Sequence, residues 1–267
     1  MSAAGEELEA LLALMRTLRD PATGCAWDRQ QNFVSIAPFT IEEAYEVADA
    51  IGRGDLARLR DELGDLLFQV VFHARMAEEA GSFDFAAVAR GISDKLIRRH
   101  PHIFLEPQAL EVSQLHASWE TQKARERAQA GMHGVLSDVP RALPALARAA
   151  KLGRRARRVG FDWPTASGVR SKINEELAEA DAAIAAGEHE QVAEEIGDLL
   201  FTVANWARHL EVDPEDALRR AALKFEQRFE CMEQAAAERG LALDKLSAAQ
   251  WDELWRDAKS LNKRDKS

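Results

Sequence analysis

Four acidic residues, Glu176, Glu179, Glu195 and Asp198, are spaced as carboxylates that could share one cation. They lie in the stretch EELAEADAAIAAGEHEQVAEEIGDLLF, residues 175–201. Counting from Gly187, Glu179 is eight residues before and Glu195 eight after; Glu176 is eleven before and Asp198 eleven after. In an antiparallel helical hairpin, equal counts give equal heights, and three residues separate the two levels by about 4.5 Å. Four carboxylates so close repel one another unless they are protonated or a divalent cation neutralises them. Mg²⁺ takes hard oxygen ligands in octahedral geometry, keeps waters and accepts phosphate oxygens. A partly open carboxylate cage suits that chemistry.

The elements that must position these acids are two helices and a turn. Ile173, Leu177, Ala180 and Ile184 recur at helical spacing, as do Val192, Ile196, Leu199 and Val203. Each set predicts one buried apolar stripe, and Gly187 between them is a C-terminal helix stop. At about 100° per residue, Glu176 falls roughly 60° from its stripe and Glu179 roughly 120°. Glu195 and Asp198 take the same offsets, so all four carboxylates are expected on one side of the hairpin, at the edge of the seam. Glu190 and Glu194 are expected on the outer face. Glu175 and Glu42 are left between two roles, supporting the ligands or acting as a base.

The pattern occurs twice. Residues 41–74 align without a gap on residues 174–207, and fourteen of the 34 positions are identical, too many to assign to chance. Gly54 takes the place of Gly187, with Glu46 and Glu62 at eight steps and Glu43 and Asp65 at eleven. The match extends to SDKLIRR (93–99) on ALKFEQR (222–228), which sets Lys95 on Lys224 and Arg99 on Arg228. Trp119 and Lys123 echo Trp255 and Lys259. The expected organisation is all-α, with tandem helical domains at 1–129 and 130–267. Segment 106–144 joins the copies through a predicted helix, QALEVSQLHASWETQKARERAQ, followed by the breakers GMHG, Pro140 and Pro144.

Lys224 and Arg228 share a helix face, as do Lys95 and Arg99. Two readings stand for each pair: cations for a metal-bound polyphosphate, or a salt-bridged face. Trp255, one turn from Lys259, is either a core residue or a stacking surface for a base. The basic run KLGRRARRVGF (151–161) reads as a solvated linker, with phosphate contact as the alternative.

Composition excludes several classes. The 267 residues carry 46% hydrophobic residues and few glycines and prolines, which supports a helical core, and a net charge of −10, which disfavours nucleic acid. Two cysteines, Cys25 and Cys231, make neither a disulfide framework nor a metal site and suit a reducing cytoplasm. The acidic N-terminus does not read as a signal peptide, and no apolar run is long enough to span a membrane. No Glu-x-x-His marks a di-iron bundle, no GxxxxGK[ST] marks a P-loop, and no nucleophile elbow is present. His100 and His102 flank Pro101, where they are expected to cap or pack.

The pattern E-E-x-x-E, a short turn, then E-x-G-D-L-L-F resembles the MazG-type nucleoside triphosphate pyrophosphohydrolases. RDPATGCAWDRQQNFVSIAPFTIEEAYEVADAI, DELGDLLFQVVFHA and RRHPHIF resemble the same family, which is matched over nearly the whole chain in its two-copy form. The resemblance implies a homodimer with a four-helix core and hydrolysis of NTPs to NMP and pyrophosphate with Mg²⁺, for which Mn²⁺ is an expected substitute. Residue by residue, it implies metal ligands at Glu176, Glu179, Glu195 and Asp198. Lys224, Arg228 and Lys259 would contact phosphates, with Trp255 by the substrate. Glu43, Glu46, Glu62, Asp65, Lys95 and Arg99 match in the first copy, which departs at Asp61 where the second has Glu194. The resemblance favours the second copy as the active one, with Glu175 the candidate base. Alternatives are the same scaffold specialised for dUTP, dCTP or phosphoribosyl-ATP, and a non-catalytic nucleotide-binding regulator.

Overall fold

The computed structural model describes residues 2–105, 111, 126 and 134–264, with side chains described as far as residue 260. The regular elements among the described residues are helices, and the chain divides into two compact units, Met1–Glu126 and Arg127–Ser267. The predicted helix at 108–129, with Trp119 and Lys123, lies outside the described residues except for Glu111 and Glu126. None of the helices among the described residues is long and apolar enough to cross a membrane.

In the first unit, α1 (Ala3–Leu18) and a short α2 (Ala26–Gln30) lead into α3 (Phe33–Arg53). Asn32 and Ser35 form a capping box that starts α3. Gly54, at φ 72°, ends it in the left-handed conformation that costs glycine least. Asp55 then caps α4 (Leu56–Glu79), accepting from the Ala57 and Arg58 amides. The core beneath this hairpin is Met15, Ile36, Val71, Phe72 and Met76. Arg19 seals one end, with its guanidinium over Phe72 and a forked pair to Glu79. Asp84 caps α5 (Phe85–Arg99), which stops where His100 precedes Pro101; α6 (Pro101–Phe104) follows.

In the second unit, α7 (Ala145–Arg157) precedes the hairpin of α8 (Ala166–Ala186) and α9 (His189–His209). Thr165 caps α8, and Gly187 ends it at φ 74°. Asp213 caps α10 (Pro214–Glu238), as Asp84 caps α5. A 3-10 turn at Leu243–Lys245 leads to α11 (Ala248–Arg264), which packs on α10 through Met232, Ala236, Leu254 and Ala258.

Two expectations need correction. The run 151–161 is not a linker: α7 covers most of it, packs on α9 and α10, and buries Arg155 against Asp138. Apolar stem atoms let arginines cover a helix while their heads pair, so a basic string does not imply solvation. The apolar stripes are also only partly buried: Ile173 and Ala180 are covered as expected, and others are not. On α8 the buried face is Val169, Ile173, Glu176, Ala180 and Ala183, whereas Leu177 and Ile184 are exposed. On α9 the buried residues are Glu195, Thr202, Ala204 and Asn205, with Ile196, Leu200 and Val203 exposed. Small residues allow close approach of the helices, and α9 does approach α7 closely. A Cβ on Gly153 would lie 1.9 Å from the Asn205 side-chain oxygen. The larger apolar residues are left on a second, exposed face that the described residues do not cover.

Candidate active site

The α8–α9 hairpin brings Glu176, Glu179 and Glu195 together, one carboxylate oxygen from each within 4.8 Å of the others. Glu176 is only 3% exposed and Glu195 8%, while Glu179 is open to solvent. Asp198 is exposed and lies outside this trio. Glu190 and Glu194 face solvent. Oxygens around Mg²⁺ at about 2.1 Å stand roughly 3–4 Å apart, so the trio needs little more than rotamer adjustment to hold an ion. The donors are all hard carboxylate oxygens, as such an ion requires.

A cation is already in contact with the cluster. The Lys172 ammonium lies 2.6 Å from Glu175, 3.2 Å from Glu176 and 3.9 Å from Glu179. Glu175 first, and then Glu176, raise the lysine's pKa, so it stays charged. Desolvation raises the pKa of Glu179; Lys172 opposes that shift, and Glu195 adds to it. The Gln191 amide donates to Glu195 one turn away. Lys172 escaped the sequence reading, although acids three, four and seven residues ahead of a lysine were a usable signal.

The α3–α4 hairpin gathers Glu43, Glu62 and Asp65, a trio that takes in the counterpart of Asp198 and leaves out Glu46, the counterpart of Glu179. Glu46 hydrogen-bonds Glu62, a carboxyl–carboxyl contact that needs a proton and raises the Glu46 pKa. Burial, then the charges of Asp65, Glu42 and Glu62, raises that of Glu43. The local cation is Arg58, which donates to Glu62 at 2.9 Å and reaches Asp49 at 3.6 Å.

Further along the second unit, the basic and aromatic residues of α10 and α11 converge. The Arg228 guanidinium lies 5.5 Å and the Lys259 ammonium 5.3 Å from the Trp255 ring centroid. Trp255 also packs on the α10–α11 core, the first of the two readings given to it. Arg228 Nε is buried with no hydrogen-bond partner among the described residues. Lys224 is exposed, one turn before Arg228. In the first unit, Lys95 is exposed and half-buried Arg99 is ion-paired, together with Arg98, to Glu126.

A second cluster was also missed, because its members are far apart in sequence. Asp162 accepts a fork from Arg208, at 2.5 and 3.0 Å, and pairs with His209 at 3.0 Å. Arg208 chiefly, with His209 beside it, holds the Asp162 carboxyl down at about 2. The turn before α8 is thereby fixed to the end of α9.

The chain as a whole is similar to proteins of one family. The MazG nucleotide pyrophosphohydrolase domain matches twice, at residues 31–104 and 165–232. A nucleoside triphosphate pyrophosphohydrolase of Escherichia coli is 49% identical over 95% of this chain and 97% of its own length. A Thermotoga maritima protein described as nucleoside triphosphate pyrophosphohydrolase/pyrophosphatase MazG is 42% identical over 97% of this chain and 98% of its own. Among solved structures, a MazG-related protein from Thermotoga maritima is 26% identical with a TM-score of 0.38, covering 43% of this chain and 98% of that one.

Proposed function

The chain belongs to the MazG nucleotide pyrophosphohydrolase family, and on that premise we propose that it hydrolyses nucleoside triphosphates to nucleoside monophosphate and pyrophosphate in its second unit. The observation that carries the assignment is the convergence of Glu176, Glu179 and Glu195 at a hairpin seam, in the unit where Arg228 and Lys259 flank Trp255. Glu176, Glu179, Glu195 and Asp198 are the proposed ligands of Mg²⁺, or of Mn²⁺ in its place. The bound ion supplies charge neutralisation, a lowered pKa for a water, and screening of the α- and β-phosphate oxygens.

The chain's own groups do the rest. Lys224, Arg228 and Lys259 hold the phosphates and stabilise charge on the departing pyrophosphate. The ring of Trp255 keeps two of those cations in place and lies by the substrate. Glu175 takes the proton of the attacking water, and Lys172, hydrogen-bonded to it, orients that carboxylate. In the first unit Glu43, Glu46, Glu62 and Asp65 form the corresponding metal set, with Lys95 and Arg99 on the phosphate side.

A second copy of the chain is proposed to cover the exposed row of Leu177, Ile184, Ile196, Leu200 and Val203, building a four-helix core. Sedimentation tests this: a dimer is expected, and Leu200→Glu should give a monomer. The net charge of −10 disfavours nucleic acid as a ligand. The unpaired thiols Cys25 and Cys231 suit a reducing cytoplasm, where the proposed role is control or cleansing of the nucleotide pool.

Product analysis tests the chemistry. Wild-type protein with Mg²⁺ and a panel of NTPs, including dUTP and dCTP, should release intact pyrophosphate. Orthophosphate as the primary product would overturn the scheme. No turnover, with nucleotide bound, would favour a binding regulator.

A further inference from the structure

Arg98 and Arg99 end α5 side by side, and both converge on one carboxylate, that of Glu126. Arg98 donates through Nη2 at 2.6 Å and Nε at 3.1 Å to one oxygen; Arg99 donates through Nη2 to the other. Glu126 is 27 residues from Arg99 in sequence, so the contact is not a local helix pair. Glu126 and Arg99 side chains are largely covered, at 21% and 24% exposure.

Arg228, the counterpart of Arg99 in the second unit, is arranged differently. It rests on Trp255, and its buried Nε has no hydrogen-bond partner among the described residues. One copy of the motif therefore has its arginine saturated by the chain's own acid; the other has donor capacity in hand.

We propose that Glu126 is a built-in occupant of the anion position of the first unit, standing where a phosphate would otherwise sit on Arg98 and Arg99. A carboxylate presents two oxygens to guanidinium groups much as a phosphate does. Being tethered, it competes at an effective concentration in the millimolar range. Arg99 and then Arg98 hold its carboxyl down at about 2, so it stays charged at any physiological pH and is not released by mild acid. The arrangement makes the first unit a poor polyphosphate site although its acids match those of the second. Assigning Arg99 to the phosphate side rests on the proposed function; the ion pair itself does not.

The test is calorimetric titration of the full-length protein with inorganic pyrophosphate in the presence of Mg²⁺. Wild type is expected to bind one pyrophosphate per chain. Glu126→Gln should bind two, with the new site strengthened about tenfold or more over any second event in wild type. Adding Arg99→Ala to Glu126→Gln should remove it. Glu126→Asp keeps the charge with a shorter reach; it should show a smaller gain, and it carries the test if Glu126→Gln does not fold. A wild-type titration curve in either folded variant overturns the proposal. NTP turnover is measured on the same preparations. Its absence in wild type would sink the proposed function while leaving the count of pyrophosphate sites, and so the role of Glu126, readable.

Discussion

The two hairpins carry the same acids at the same heights and neutralise them from opposite helices. In the first unit the cation is Arg58 on α4, one turn before Glu62. The aligned residue in the second unit is Gln191, which gives Glu195 only a neutral amide. There the cation is Lys172 on α8, one turn before Glu176, and its own counterpart in the first unit is Phe39, packed edge-on against Trp27. Matching carboxylates thus do not make matching sites. Lys172 touches Glu175, Glu176 and Glu179, two of them in the proposed metal set, whereas Arg58 is shared between Glu62 and Asp49. The next helices diverge too. Pro101 halts α5 beside Arg99, while α10 runs ten residues beyond Arg228 and builds a core with α11. Trp255 and Lys259 are delivered by that extension.

The sharpest way to break this contrast is to remove one acid from each unit. Glu176→Ala should lower NTP turnover on the order of a hundredfold, while Glu43→Ala should leave it within about threefold, read as pyrophosphate release. A larger loss in Glu43→Ala would move the chemistry to the first unit. Next in size is stability. Asp162→Ala strands Arg208, whose side chain is only 5% exposed, and should cost about 3 kcal/mol in denaturant unfolding. Glu79→Ala, at the more open pair with Arg19, should cost about 1 kcal/mol. The Asp162 carboxyl is depressed to about 2, so its contribution is whole above the unfolded value of about 3.9 and disappears as pH falls through about 2.

A smaller difference is expected in metal binding against pH. Glu43 and Glu46 are both raised in the first unit, and Glu179 in the second. A raised carboxyl holds its proton above the usual value of about 4.3, and a metal ligand must lose it. Affinity should therefore fall on acidification before that value is reached, and earlier in the first unit than in the second. Mn²⁺ titrations of Glu43→Ala and Glu176→Ala, each leaving one cluster intact, would rank the two. Smallest of all, Gly54→Ala and Gly187→Ala should each cost about 1 kcal/mol, because both sit at positive φ with open space around the missing Cβ. Equal costs would mark the turn as the feature the two units share most closely.

Much of this frame was legible in the sequence for local reasons. Gly54 and Gly187 close the hairpins because a left-handed residue is needed there. Heights followed from counting. Rotation did not, since an apolar row such as Leu177 and Ile184 fits a buried seam or a face awaiting a partner equally well. The single chain buries the small residues and two glutamates instead. Asp162 was invisible for another reason: its partners lie 46 and 47 residues away, beyond any periodic signal.

The equal spacing about Gly54 and Gly187 has a consequence for how this chain tolerates change. Substituting one residue in a hairpin alters one side chain. Deleting one between Gly187 and Glu195 would turn every later position on α9 by about 100° and shift it by about 1.5 Å relative to α8. Glu195 would leave the seam together with Thr202 and Asn205, and Gly153 would lose the side chain that fits against it. Drift in letters is therefore cheap here and drift in length is not, which accounts for two copies that differ at most of their positions yet align over 34 residues without a gap.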